Sequence, residues 1–188
     1  MYALFSRFRD RVRRLRRETR ATAAVEFAFV APSMLVMMAI IVYAGQAFEI
    51  QRKVTLTMRT LTDLVTQQTN IGATSSAYTY TQILNAASLV IAPYDSSQMQ
   101  MIISEIQTNG TSAGIVVWSQ ATGTGATALS VGSSVTVPTN ITAAGYLILG
   151  TVNYTYNPLS IYQQASAITL TDHIYMAPRV SSSVQCCT

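Results

Sequence analysis

One stretch limits what this chain can become. From Thr22 to Phe48 it reads TAAVEFAFVAPSMLVMMAIIVYAGQAF, and Glu26 is the only charged side chain between Arg20 and Glu49. The 21 residues from Phe27 to Ala47, wound as a helix at about 1.5 Å per residue, match a hydrocarbon layer about 30 Å thick. Residues before and after this span must lie on opposite sides of a membrane.

Charge decides which side is which. Eight of the twelve basic residues, Arg7, Arg9, Arg11, Arg13, Arg14, Arg16, Arg17 and Arg20, precede the span. Arginine within about 20 residues of a membrane helix holds that end in the cytoplasm. Residues 1–21 are thus expected to be a basic cytoplasmic leader on the anionic inner leaflet, or simply a tail that sets topology. Residues 22–48 are the membrane helix, and residues 49–188 a domain outside the cytoplasm. From residue 60 onward, Arg179 alone stands against Asp63, Asp95, Glu105 and Asp172, a net of −3. The formal charge of +4 is therefore carried by the tail, which removes the basis for a nucleic-acid partner. Charged residues make up 11% of the chain, against about 25% in an ordinary soluble domain. One membrane helix and one modest domain account for the length.

The leader is not a standard export signal. RRLRRE lacks the consensus that follows paired arginines in twin-arginine signals. The apolar core also exceeds the 7 to 15 residues or so of a secretory signal, and YAGQAFE is a poor cleavage site. Glu26 carries more information. A carboxylate just inside a membrane helix costs a few kcal/mol if unpaired, which makes it a functional candidate, unless it lies at headgroup depth where the cost is small.

The residues around Glu26 resemble a known family. Arg20-Ala21-Thr22-Ala23-Ala24-Val25-Glu26-Phe27-Ala28-Phe29-Val30-Ala31-Pro32 is similar to the opening of TadE/TadG-like proteins, minor pilins or pseudopilins of tight-adherence (Flp, type IV) pilus systems. The pattern is a basic leader, a small residue, a glutamate followed by an aromatic, and a proline six residues after the glutamate, all inside a long apolar helix. Weaker echoes are Ala92-Pro93-Tyr94-Asp95, Val117-Trp118-Ser119, Tyr154-Thr155-Tyr156 and Ala177-Pro178-Arg179. The resemblance implies that a prepilin peptidase cuts between Ala21 and Thr22, leaving Glu26 as fifth residue of the mature chain. Related proteins often have Gly where this chain has Ala21, and some members stay uncleaved as anchors. It also implies other pilins and Tad secretion-machine proteins as partners. A freed amine on Thr22 could pair with Glu26 of a neighbouring subunit, so that Glu26, with Phe27 and Pro32, sets the register of helix assembly.

Within the span, Pro32 removes one backbone hydrogen bond and is either a harmless kink or a hinge. Met34, Met37 and Met38 are read as lipid-facing or helix-packing surface, not as metal ligands, since no Cys or His accompanies them. Small residues Ala28, Ala31, Ala39, Ala44 and Gly45 permit close helix approach.

Beyond the membrane the helix turns amphipathic. Ile50, Val54, Met58, Leu61 and Val65 recur at steps of four and three on one face. The helix is expected to run on to about residue 69, stopping at Asn70-Ile71-Gly72, with a loop from Thr74-Ser75-Ser76. Tyr80 to Val90 predicts a second short helix closed by a turn at Pro93-Tyr94-Asp95. Strands are expected over Met99–Ile106 and Ile115–Ser119 about a turn at Thr108-Asn109-Gly110-Thr111. Two more are expected over Tyr146–Tyr156 and Ala167–Met176 about a turn near Asn157-Pro158. Residues 120–140 read as a Gly/Thr/Ser-rich loop with a short strand at Ser134–Val137. The fold class is therefore α+β and pilin-like: a long N-terminal transmembrane and amphipathic helix packed on a small antiparallel sheet of three to five strands.

Motifs for catalysis are missing. His173 is the only histidine, and on a strand its neighbour Asp172 points to the other side. Asp95-Ser96-Ser97 is similar to the D-x-S-x-S metal site of adhesive domains, but the last position is Met99, so Asp95 is expected to close its turn. No phosphate loop, dinucleotide fingerprint or H-E-x-x-H motif occurs. No enzyme activity, cofactor or metal is expected. Cys186 and Cys187 are the only cysteines. An adjacent pair closes a strained ring, so a disulfide to another chain, or the reduced state, is expected, with a frayed tail as the plainer alternative.

Together these features predict a structural protein, a minor pilin or pilus-assembly component. It would be single-pass in a bacterial inner membrane, with a periplasmic head, and able to enter a pilus. The alternative is a single-pass protein with a periplasmic binding or sensing domain unrelated to pili; a membrane-anchored hydrolase is a distant third.

Overall fold

The computed structural model describes residues 19–72, 79–138, 141, 144–157 and 167–187. The expected loop at Thr74-Ser75-Ser76 and most of the turn after Asn157 lie outside these residues. The chain divides into two compact units, Met1–Gln46 and Ala47–Thr188.

Helix α1 spans Thr19–Thr66, 48 residues, with Pro32 inside it. In the first unit its side chains are apolar on every side and nearly all exposed, Phe27, Phe29, Met37 and Ile41 among them. A helix apolar all round in contact with water would be unstable, and it fits a hydrocarbon surrounding.

In the second unit α1 is a core element. Ile50, Val54, Met58, Leu61 and Val65 are all buried, the same stripe that the spacing predicts, and each contributes about 1.5 to 3 kcal/mol of apolar burial. The helix ends at Thr66, three residues before the expected stop, where a distant segment takes its last carbonyl and pairs with the residues that follow. The Arg179 N–H donates to Thr66 O at 2.9 Å. Asn70 forms a parallel bridge with Gln185, in which the Ile71 N–H donates to Gln185 O and the Gln185 N–H to Thr69 O. Extended pairing with the C-terminal segment replaces the last helical turn.

Helix α2, Tyr80–Ser88, buries Ile83, Leu84 and Ala87. Its entry is fixed by the Gln82 side chain, which accepts the Thr79 N–H at 3.1 Å. A short 3₁₀ turn follows at Leu89–Ile91, and another at Ser96–Gln98.

Among the described residues five strands form one sheet: β1 Met99–Thr108, β2 Ala113–Thr122, β3 Ser134–Thr136, β4 Gly145–Tyr156 and β5 Ile168–Met176. The order is β3-β2-β1-β4-β5, antiparallel throughout, at the upper end of the expected count. Gly110, at φ 82°, supplies the left-handed residue that the β1–β2 turn needs. The β1–β2 register slips between Glu105 and Ile106. This bulge leaves Trp118 opposite Glu105 and Val116 opposite Ile106.

Side chains of the sheet pack in two clusters. Met99, Met101, Ile103, Ile148, Val152 and Tyr154 join the α1 stripe, the α2 residues and Trp118 in the main core. Ile106, Val137 and Leu149 form a smaller one with Leu147 and Tyr175 beside them. Where β4 meets α1 there is no room for a side chain: a Cβ on Gly150 would run into Thr62 Oγ1.

Candidate functional site

The N-terminal candidates all lie on α1. Thr22, Glu26 and Phe27 are exposed along the helix, and Pro32 sits within it without ending it. Ala21 is helical at its backbone. Ser33 donates to Val30 O at 2.7 Å, a local bond that keeps its hydroxyl satisfied in an apolar setting. Met34, Met37 and Met38 are exposed on the helix surface.

The head holds a buried acid that the sequence reading passed over. Glu105 is 2% exposed, and its partners are two N–H groups. The Val184 N–H donates to Oε1 at 2.7 Å and Trp118 Nε1–H to Oε2 at 3.0 Å. Trp118 Nε1–H also reaches Val184 O at 2.7 Å. Burial pushes the Glu105 carboxyl above the ordinary glutamate range, and the two donors only partly offset it. These three residues fasten the C-terminal segment to the middle of the sheet. Val184 itself is fully buried, so the segment is docked and not a frayed tail. A usable signal existed: Glu105 continues the alternation Met99, Met101, Ile103, whose residues all face the core.

Cys186 and Cys187, the adjacent pair, are bonded to each other. Cys186 is buried beside Val184 in the main core, and the left-handed backbone of Cys187, at φ 60°, accommodates the turn.

A second polar cluster surrounds the start of the head. The Tyr94 hydroxyl donates to Glu49 Oε2 at 3.0 Å, and Lys53 Nζ to Val90 O at 3.3 Å. Burial and the neighbouring Glu49 carboxylate raise the Tyr94 pKa. Asp95 closes its turn as expected. Its oxygens accept the Ser97 N–H at 2.9 Å and the Ser97 hydroxyl at 2.7 Å, and these bonds lower its pKa. Asp172 accepts from Thr55 Oγ1 at 2.6 Å, tying β5 to α1. His173 is exposed and meets Tyr175 edge to face at 6.2 Å. The two neighbours on β5 serve different surroundings and form no pair through their side chains.

These features define an α+β protein built on one long N-terminal helix. The helix is long and apolar enough to cross a membrane, and the apolar window is unburied. Its continuation is the central core element of an antiparallel-sheet head. Residues 21–60 match the family model described as TadE-like protein, the family that the Arg20–Pro32 segment resembles. The match runs through the apolar span and into the amphipathic stripe. No curated protein matches the chain, and no solved structure does.

Proposed function

We propose that this protein is a structural or assembly component, a minor pilin or pseudopilin, of a tight-adherence pilus. In this reading α1 anchors it in the inner membrane, with the Arg-rich leader cytoplasmic and the head periplasmic. The protein catalyses nothing; its work is done by helix packing and by head contacts with other pilins and secretion-machine proteins. The observation that carries the proposal is the TadE-like match over residues 21–60, which lies on the one helix serving both as span and as head core.

Small residues along the span allow neighbouring helices to approach closely. Glu26, exposed on the helix, is the group that would meet the freed amine of Thr22 on a neighbouring subunit. Glu26→Ala is expected to abolish incorporation into the assembly and surface adhesion while leaving the protein in the membrane. Normal adhesion by this variant would remove Glu26 from the mechanism.

The deciding experiment is intact mass and N-terminal sequencing of the protein from membranes of its own cells, with identification of co-purifying proteins. A mature chain beginning at Thr22 is the outcome expected of a processed pilin. A chain that keeps its leader but co-purifies with pilus-machine proteins is a permanent anchor of that machine. A chain with neither property overturns the proposal and leaves the unrelated single-pass sensor.

A further inference from the structure

The first turn of the head after the apolar run is tied to a distant segment. Glu49 and Lys53 follow Ala47 by two and six residues, about 3 and 9 Å along a helix axis. Tyr94 donates to Glu49 and Lys53 to Val90 O, so the turn spanning residues 89–94 is held against this stretch. If the apolar run ends at the hydrocarbon boundary, Phe48 to Arg52 occupy the headgroup layer, about 5 to 8 Å deep on each side, and Lys53 stands at its outer edge. Whatever is bonded to them is held there too.

The chemistry of this turn suits that layer better than water. Leu89 is 75% exposed and Phe48 79%, although α2 ahead of Leu89 buries its own apolar residues. Pro93 is exposed as well, and Tyr94 is half-buried with its hydroxyl engaged. Amphipathic aromatic rings favour membrane interfaces. Arg52 and Lys53 supply positive charge toward lipid phosphates. Glu49 and Asp95 keep their negative charge while bonded to Tyr94 and Ser97, so the exposed apolar side chains, more than net charge, carry the contact.

We propose that residues 89–94, with Phe48, form a membrane-surface foot. Leu89 and Pro93 enter the acyl boundary of the leaflet on the head's side, Arg52 and Lys53 meet its phosphates, and the Tyr94–Glu49 bond locks the foot to the anchor helix. This inference rests on the membrane-anchor reading above and adds to it a second, lipid-facing contact made by the head.

The test places tryptophan reporters in the full chain, reconstituted in vesicles of phosphatidylethanolamine and phosphatidylglycerol. These are doped with lipids brominated either near the top or near the end of the acyl chain. Met37→Trp reports the span, Leu89→Trp the foot and Val131→Trp an exposed site elsewhere on the head; native Trp118 gives the background. The expected result is that shallow bromines quench Leu89→Trp at least twofold beyond background, deep bromines quench Met37→Trp, and Val131→Trp stays at background. Quenching of Met37→Trp without that of Leu89→Trp overturns the foot and leaves the anchor standing. Equal quenching of Leu89→Trp and Val131→Trp means unspecific adsorption and also overturns it. If no reporter is quenched, the anchor reading falls and the foot with it.

Discussion

The Glu105 carboxyl accepts the backbone N–H of Val184 at 2.7 Å, joining residues 79 apart in sequence. Trp118 closes the group by donating both to Glu105 and to Val184 O. A charge in a core is tolerated only when its hydrogen-bonding capacity is engaged, and here the engagement also secures the C-terminal segment.

Glu105 makes stability depend on pH. Its folded-state pKa lies above the ordinary value of 4.5, so the folded state retains a proton that the unfolded state releases in between. The contribution of protonated Glu105 is therefore complete below about pH 4.5 and is lost as pH rises through the raised value. Thermal unfolding of the full chain in mild detergent should show the wild type losing stability relative to Glu105→Gln across that window. A wild-type-to-variant difference that stays flat between about pH 4 and 8 would contradict this.

The docked C-terminal segment is expected to matter to the whole head. Ending the chain at Ser183 removes the buried Val184 side chain and its bonds to Glu105 and Trp118, and also the Gln185 bridge to Asn70. A loss of about 2 to 4 kcal/mol follows from apolar burial plus an incompletely satisfied acid. Denaturant unfolding monitored by Trp118 fluorescence measures it. A loss below about 0.5 kcal/mol would mean that the segment is an ornament.

Gly150 is required by closeness and not by backbone conformation. Gly150→Ala puts a methyl against Thr62 Oγ1 and should cost about 1 to 3 kcal/mol. Thr62→Ala in the same chain removes the clashing oxygen and should recover part of that cost. A double-mutant cycle without coupling would place the strain elsewhere.

Arg179 offers an internal contrast. Its guanidinium bonds Asp63 at 2.9 Å, but the side chains are 60% and 37% exposed, so Arg179→Ala should cost no more than about 0.5 kcal/mol. Its backbone N–H caps Thr66, and Arg179→Pro, which deletes that donor, should cost about 1 to 3 kcal/mol. Equal effects of the two substitutions would show that the charge, and not the cap, is what holds the helix end.

Much of this architecture was legible because it is written in short-range patterns. The run from Phe27 to Ala47 has one property, apolarity, that needs no partner to be recognised. The stripe from Ile50 to Val65 repeats at helical spacing, and α1 buries those five residues. Strands β1, β2, β4 and β5 fall within a few residues of their predicted bounds, since alternation and the turn at Asn109-Gly110 mark them locally. Glu105 was the instructive omission. Its position in the alternation pointed inward, yet its charge argued for the surface, and only the donors brought by Trp118 and Val184 resolve that conflict.

By itself, then, the sequence determined the apolar span, the amphipathic continuation and the antiparallel character of the head, because each depends on side chains within a few residues of one another. Tertiary structure alone decided that β1 lies between β2 and β4, that α1 stops at Thr66, that Gly150 must lack a side chain, and that the C-terminal segment is docked. Each of these depends on which distant groups complete a hydrogen bond or compete for the same space, and that information exists only once the chain has folded.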